Sequence, residues 1–234
     1  MKVAVLGTGA VGQTMSARLV TLGHEVFMGT RDVSHSLERK DTDAWGTPGI
    51  GTWIEEHPQV SLMTFREAVE HGEDLILLAI NGMNVLSTLK TIPKSLLQEK
   101  ILIDQSNPLD FSGGFPPLLS VCNTESLGEQ IQNTYPGLKV VKTLNTVSSQ
   151  VMASPEILPG DHVIFLCGDD AEAKASVTAL LESMGWKTAN IIDLGKIEAS
   201  RGTEMLLPLW TRLMGKFQSP AFNINIVRAQ AHPA

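Results

Sequence analysis

Gly7, Gly9 and Gly12 stand at G-x-G-x-x-G spacing directly after a short apolar run, Lys2 to Leu6. Beyond them an apolar face opens at Val11 and repeats at Met15, Leu19 and Leu22, the period of a helix, which Gly23 closes. A second apolar run, Glu25 to Met28, then leads into Gly29-Thr30-Arg31. Three glycines alone are weak evidence. Strand, glycine turn, helix and second strand within about thirty residues supply the context that identifies a dinucleotide-binding βαβ unit. Gly7 permits the tight turn, Gly9 lets the backbone approach a pyrophosphate, and Gly12 lets the helix pack closely on the strand. The unpaired N–H groups at the helix start then face the phosphates.

The end of the second strand bears on which dinucleotide is bound. An NAD site usually places an acidic residue about twenty residues on, against the ribose 2′-hydroxyl. Thr30 and Arg31 occupy that place here. A hydroxyl and a guanidinium suit a 2′-phosphate, to which arginine offers charge-assisted bidentate bonds. Asp32 follows at once and would favour NAD if it faced the ribose instead. The residue chemistry therefore predicts NADP, with Asp32 as the competing element. Arg39 and Lys40 read more readily as a solvated helix end than as further phosphate ligands.

With 234 residues, the chain has enough length to bury a core without disulfides or metals. A net charge of −7 argues against a nucleic-acid partner, which needs concentrated lysine and arginine. No run approaches the roughly eighteen apolar residues of a membrane span, and glycines break the N-terminal run too early for a signal peptide. These readings lead to the expectation of a cytoplasmic protein. Cys122 and Cys167 lie among apolar neighbours and read as buried thiols. Trp45 and Trp53 read as core or rim packing.

Further strands are expected at Val60 to Met63, Asp74 to Ile80, Lys100 to Asp104 and Lys139 to Thr143, with helices between them. Strict alternation of this kind is the signature of an α/β, doubly wound, mostly parallel Rossmann sheet. Thr64 with Glu67 and Ser126 with Glu129 have capping-box spacing. Gln150 to Asp161 reads as a crossing loop. His162 to Cys167, a helix capped by Asp169, and Thr188 to Leu194 then form a C-terminal βαβ extension. Ile197 to Lys216 is an apolar helical segment that Pro208 should kink or split, and it must be covered. Phe222 to Val227 alternates like an edge strand. The expected division is a dinucleotide-binding domain over 1–146 and an extension over 147–234 that completes an acceptor site and carries a homodimer interface. In open α/β sheets ligands bind outside the strands' carboxyl ends, so Ala79, Ile80, Asn81, Asn107 and Asn145 are candidate site residues. The loop Leu109 to Pro117 is a candidate lid or wall.

There is no H-E-x-x-H, no Cys/His cluster at metal spacing and no G-x-S-x-G, so neither a metal site nor a catalytic side chain is assigned. None of His24, His35, His57, His71, His162 and His232 has an evident carboxylate partner, and each reads as solvated. Lys142 with Asn145 suggests the Lys/Asn pair of hydroxyacid dehydrogenases, but the chain lacks room for their large helical domain.

The segments VAVLGTGAVG, GHEVFMGTRD, VVKTLNTVSSQVM and CGDDAEAKASV together resemble the NADP-dependent coenzyme F420 oxidoreductase family. The Rossmann domain of that family is similar to the cytosolic NADPH domain of membrane metalloreductases. The resemblance covers almost the whole chain. It implies that Thr8, Gly9, Ala10, Val11, Thr30 and Arg31 hold NADP, and that Ala79, Ile80 and Asn145 border the nicotinamide. It also implies that the segment from Gly202 to Trp210 shapes the second site and the dimer. The expected activity is hydride transfer between NADP(H) and a small flat acceptor, a flavin or the deazaflavin F420. A non-enzymatic NADP-binding module is the alternative.

Overall fold

The computed structural model describes residues 1–229, so His232 lies outside the described residues. The strands in chain order are β1 (Lys2–Leu6), β2 (Glu25–Thr30), β3 (Val60–Thr64), β4 (Leu75–Leu78), β5 (Ile101–Asp104), β6 (Leu109–Asp110), β7 (Leu118–Leu119), β8 (Lys139–Thr143), β9 (Ile164–Gly168) and β10 (Ile191–Asp193). Eight of them form one sheet in the order β10-β9-β8-β5-β4-β1-β2-β3, while β6 and β7 make a separate antiparallel ribbon. The α/β, doubly wound, mostly parallel arrangement is the one expected.

The sheet's middle explains its composition. Leu75, Ile76, Leu77 and Leu78 of β4 are all buried, because helices cover both faces of a parallel sheet. Their side chains alternate. Leu75 and Leu77 join Val3, Val5, Met15 and Leu19 on one face, and Ile76 and Leu78 join Ala4, Leu6, Val85 and Leu89 on the other. Each such aliphatic side chain contributes roughly 1.5–3 kcal/mol by leaving water. β1 has β2 on one side and β4 on the other, in register Leu6 with Gly29 and Leu6 with Leu78. The chain reverses its direction of winding at β1, and the crevice beyond these carboxyl ends is the natural ligand site.

The extension departs from expectation in several places. β9 and β10 are parallel to each other, but β9 pairs antiparallel with β8, Thr143 opposite Leu166. The connection is the reason. Gln150 to Asp161 is not a crossing loop; a helix, Ser149–Ala153, and a single turn, Pro155–Ile157, occupy it. The twenty residues between Thr143 and Ile164 are folded into these two short elements and do not carry the chain back along β8. β9 therefore starts at the edge where β8 ends. The following helix, Ala171–Ser183, is capped by Asp170, which accepts from the Ala173 N–H at 2.7 Å; Asp169 instead accepts from the Ile197 N–H at 3.1 Å.

Pro208 does divide the last apolar segment, into Ser200–Met205 and Leu207–Phe217. Its expected burial is incomplete: Leu209 and Phe217 remain more than half exposed, at 53% and 56%. Phe222 to Val227 forms no strand and touches the sheet region through Val163 N–H donating to the Ile224 carbonyl at 3.0 Å. Trp53 is buried, but Trp45 is exposed, and of the two thiols only Cys167 is buried. Burial pushes the Cys167 thiol up to about 12.

A buried ionic network joins the extension to the sheet. Lys142 Nζ on β8 donates to Asp104 Oδ2 at 2.8 Å and to the Ser106 carbonyl at 2.7 Å, and pairs with Glu204 Oε1 at 2.7 Å. Three N–H bonds thus meet three acceptors. Glu204 also accepts from the Leu127 and Gly128 N–H groups, at 2.9 and 3.1 Å, closing the start of the helix Leu127–Thr134. Ser126 accepts from the Glu129 N–H at 3.2 Å, as its spacing predicts, while the Glu129 carboxylate is drawn to Arg201 Nε at 2.8 Å. Burial alone pushes the Lys142 ammonium down; the carboxylates of Asp104 and Glu204 outweigh it and hold the group above the ordinary lysine range.

Removing the ammonium strands two buried carboxylates. Lys142→Met is expected to cost about 3–5 kcal/mol in denaturant unfolding; a cost below about 1 kcal/mol, the level of a surface pair, would contradict a structural role. The raised folded pKa fixes the sign of the pH dependence. The contribution is complete below the unfolded lysine value of about 10.4 and fades as pH rises through the higher folded value.

Candidate functional site

Three backbone segments meet at the carboxyl ends of β1 and β4. Gly7 takes φ +125°, and a Cβ there would land on the Ala79 carbonyl oxygen. A Cβ on Gly12 would land on the carbonyl oxygen of Gly7. Strand ends and helix therefore sit in backbone contact, which only glycine permits. Gly9 differs: a Cβ there would meet no atom within 4 Å, and the space it would enter is the cleft. The helix Ala10–Thr21 starts at Gly9 with no side-chain cap and no acidic residue in its first turn. Its first N–H groups lack helical partners and, with the helix dipole, favour an anion. Gln13 Nε2 donates to the carbonyls of Thr8 (3.1 Å) and Pro48 (2.9 Å), tying the glycine turn to the segment that crosses above it.

Beyond β2 lies a cavity of about 360 Å³, with Thr8, Thr30, Arg31, His35, Ser36 and Arg39 in its walls. Arg39 is exposed at the end of the helix Val33–Glu38, as its sequence position suggests, and its Nη2 also donates to Thr8 Oγ1 at 2.7 Å, which sets the guanidinium on the wall of this cavity. Lys40 does turn away, to the Glu55 carboxylate and the Gly51 carbonyl. Asp32 also borders the cavity, but its Oδ1 accepts from the His35 N–H at 3.0 Å and caps the helix Val33–Glu38. One of its two carboxylate oxygens thereby serves as a helix cap. The Thr30 hydroxyl is paired with Ser36 Oγ at 2.7 Å and is buried, and the guanidiniums of Arg31 and Arg39 stand in the cavity wall.

On the other side of the glycine turn a cleft of about 260 Å³ runs between the ends of β4 and β5. Ala10, Val11, Ala79, Ile80 and Asn81 line it from the helix start and the end of β4, Gln105, Ser106 and Asn107 from the end of β5, with Leu109 of the ribbon and the half-exposed Phe111 just beyond it on the solvent side. Asn81 Oδ1 accepts from the Met83 N–H at 2.9 Å, so its side chain shapes the turn Gly82–Asn84. Asn107 and Asn145 bond reciprocally: Asn107 Nδ2 donates to the Asn145 carbonyl at 2.8 Å, and Asn145 Nδ2 donates to Asn107 Oδ1 at 2.9 Å. Asn145 is buried behind Asn107 and does not line the cleft, so it acts on the site through its partner.

No titratable side chain lines this cleft among the described residues. Lys142, the one sequence candidate for a proton donor, is buried behind Ser106 with all its hydrogen bonds made. The larger cavity of about 550 Å³ near Glu99, Lys139 and Asp170 opens beyond the amino ends of β5 and β8, away from the glycine turn. Among the described residues no group of three His, Cys, Asp or Glu side chains is placed to hold a metal. Gln105, Ser36 and Phe65, which face these cavities, were not singled out one by one from sequence; only the polar run at the end of β5 pointed toward Gln105.

The residues present fit a phosphorylated dinucleotide. An uncapped helix start, a glycine whose Cβ would enter the cleft, and two guanidiniums around one cavity make a donor set for phosphates. The two glycines are expected to separate fold from binding. Gly12→Ala should lower stability by about 1–3 kcal/mol through overpacking. Gly9→Ala should leave the melting temperature within a degree or so while weakening dinucleotide binding measured by calorimetry. Equal melting losses in both variants, or unaltered binding in Gly9→Ala, would contradict this geometry.

A family description, "NADP oxidoreductase coenzyme F420-dependent", matches residues 2–108. The chain is similar over its length to the crystal structure of a candidate F420-dependent NADP reductase from Arthrobacter sp. FB24. The two share 47% identity and a TM-score of 0.90, covering 97% of this chain and all of that one. The F420-dependent NADP reductase of Methanocaldococcus jannaschii is 29% identical, over 98% of this chain and the whole of that protein. The metalloreductase STEAP3 of Rattus norvegicus is 27% identical over 89% of this chain, which spans only 38% of that protein. No helix of the described residues is long and apolar enough to cross a membrane. With close to half of its residues shared with a full-length relative, and the glycine turn inside the matched segment, the chain belongs to the coenzyme F420-dependent NADP oxidoreductase family.

Proposed function

We propose that this NADP-dependent oxidoreductase transfers a hydride between NADP(H) and a flavin or deazaflavin acceptor of the F420 type. The observation that carries the reading is the division of one continuous crevice into a guanidinium-lined cavity beyond β2 and an uncharged, largely apolar cleft beyond β4 and β5. In this reading Thr8, Gly9, Ala10 and Val11 present backbone N–H groups and space to the pyrophosphate, while Gly7, whose own N–H is bonded to the Gly29 carbonyl, and Gly12 hold the turn and helix in place behind them. Arg31 and Arg39, with the Thr30–Ser36 hydroxyl pair behind them, hold the 2′-phosphate. Ala79, Ile80 and Asn81 border the nicotinamide, and Asn107, steadied by Asn145, closes the far side.

NADPH, when bound, supplies the hydride; the chain's contribution is position and dryness. A cleft without titratable groups offers no proton relay, so in this reading the hydride passes directly between the two rings and the one proton that completes the reduced acceptor comes from solvent. Leu109 and Phe111 supply an apolar wall against which a flat acceptor can lie, which is the expected role of the loop from Leu109 to Pro117. The segment from residue 147 onward lines none of these cavities; set against the sheet through Glu204 and Lys142, it steadies the β5 side of the site in place of the expected role of completing it. Its exposed Met205, Leu209 and Phe217 suit a homodimer interface. The reaction is placed in the cytoplasm.

Mixing the protein with NADPH and following its absorbance against F420, FMN and no acceptor tests the reading. Rapid NADPH oxidation with F420, slower or absent with FMN, and none without acceptor is the expected result. Tight NADPH binding with no oxidation by either acceptor would sink it and favour a binding module.

A further inference from the structure

Gln105 is the first residue past β5 and forms part of the wall facing Ala10, Val11 and Ala79. It is 5% exposed, and both polar atoms of its side chain, Nε2 and Oε1, are buried without a hydrogen-bond partner. Native folds seldom leave a whole amide unpaired, and each such group calls for an explanation. The backbone on either side is firmly held. Lys142 binds Asp104 Oδ2 and the Ser106 carbonyl, and Asp104 Oδ1 accepts from both the Ser106 N–H (2.9 Å) and its hydroxyl (2.5 Å). The amide itself lies just beneath that wall, closed to solvent, and a turn of the side chain about its own torsions brings its donor and acceptor to a ligand in the cleft; the fold uses neither.

Resting on the reading of this crevice as an NADP(H) site, we propose that Gln105 recognises the nicotinamide carboxamide, Nε2 donating to its oxygen and Oε1 accepting from its amino group. A primary carboxamide carries one acceptor and one donor group in a single plane, as the glutamine side chain does, and the two can satisfy each other. A lone carbonyl on the ligand would leave Oε1 unpaired. The position favours the dinucleotide over the acceptor. Gln105 shares its cleft with the helix start at Ala10 and Val11, whereas Leu109 and the half-exposed Phe111 stand on the solvent side. Two such bonds fix the rotation of the ring, so that one face is presented to the acceptor. Gln105 is then a binding residue whose cost to the free protein is offset only when the cofactor is bound.

Gln105→Met, which keeps the volume and removes both polar atoms, tests this with three ligands titrated by calorimetry and with the melting temperature of the free protein. The ligands are NADP⁺, its 3-acetylpyridine analogue, in which a methyl replaces the amino group, and 2′,5′-ADP, which has no nicotinamide. The free variant should melt at the wild-type temperature or above. It should bind NADP⁺ about tenfold more weakly, bind 2′,5′-ADP unchanged, and lose the wild-type preference for NADP⁺ over the acetyl analogue. Unaltered NADP⁺ affinity, or a loss shared equally by 2′,5′-ADP, overturns the proposal. If the variant does not fold, a wild-type protein that fails to distinguish NADP⁺ from the acetyl analogue overturns it as well. A wild type that binds neither NADP⁺ nor 2′,5′-ADP would instead overturn the underlying site reading.

Discussion

The backbone contact among Gly7, Ala79 and Gly12 is the constraint on which the site depends. It brings the start of the first helix to within atomic contact of two central strand ends. That closeness aims uncapped N–H groups at the crevice between β1 and β4, where the winding of the sheet reverses. It also divides the crevice in two. The β2 side receives the guanidiniums of Arg31 and Arg39; the β4–β5 side receives small, apolar and amide groups. The two halves thus differ in charge, which suits the proposed dinucleotide with its phosphates at one end and its ring at the other.

A second constraint keeps the β5 side rigid. Asp104, Lys142 and Glu204 come from β5, β8 and the helix Ser200–Met205, and their network also closes the helix Leu127–Thr134. Buried ion pairs are weak devices for stability, since desolvation offsets much of their attraction. Their value here is positional. The network holds Ser106 from both its N–H and its carbonyl, and so sets where Gln105 and Asn107 stand at the cleft wall. The terminal segment thereby influences the site without lining it.

Sequence periodicity disclosed most of the sheet, because β1, β4 and β5 are buried on both faces and read as unbroken apolar runs. It did not disclose the antiparallel entry of β9, which depends on how the twenty-residue connection from β8 folds. The glycine turn was legible because backbone contact demands glycine. Asp32 was ambiguous in sequence, where ribose ligand and helix cap look alike; the bond to the His35 N–H decides its role in the fold. Arg39 is the exposed helix end that the sequence suggested, but its bond to Thr8 was not legible because it crosses thirty-one positions and leaves no local pattern. Lys142 looked like a candidate acid on its strand, and its two carboxylate partners lie far away in the chain, at Asp104 and Glu204.

The central claim, that guanidiniums beyond β2 select the phosphorylated dinucleotide, is tested most directly by titrating NADPH and NADH into the wild type and the Arg31→Ala/Arg39→Ala double variant. The wild type should prefer NADPH by tenfold or more, a margin of about 1.4 kcal/mol. The double variant should bind the two alike while retaining wild-type affinity for NADH. A wild type that binds both equally, or a variant that loses NADH as steeply as NADPH, would contradict it.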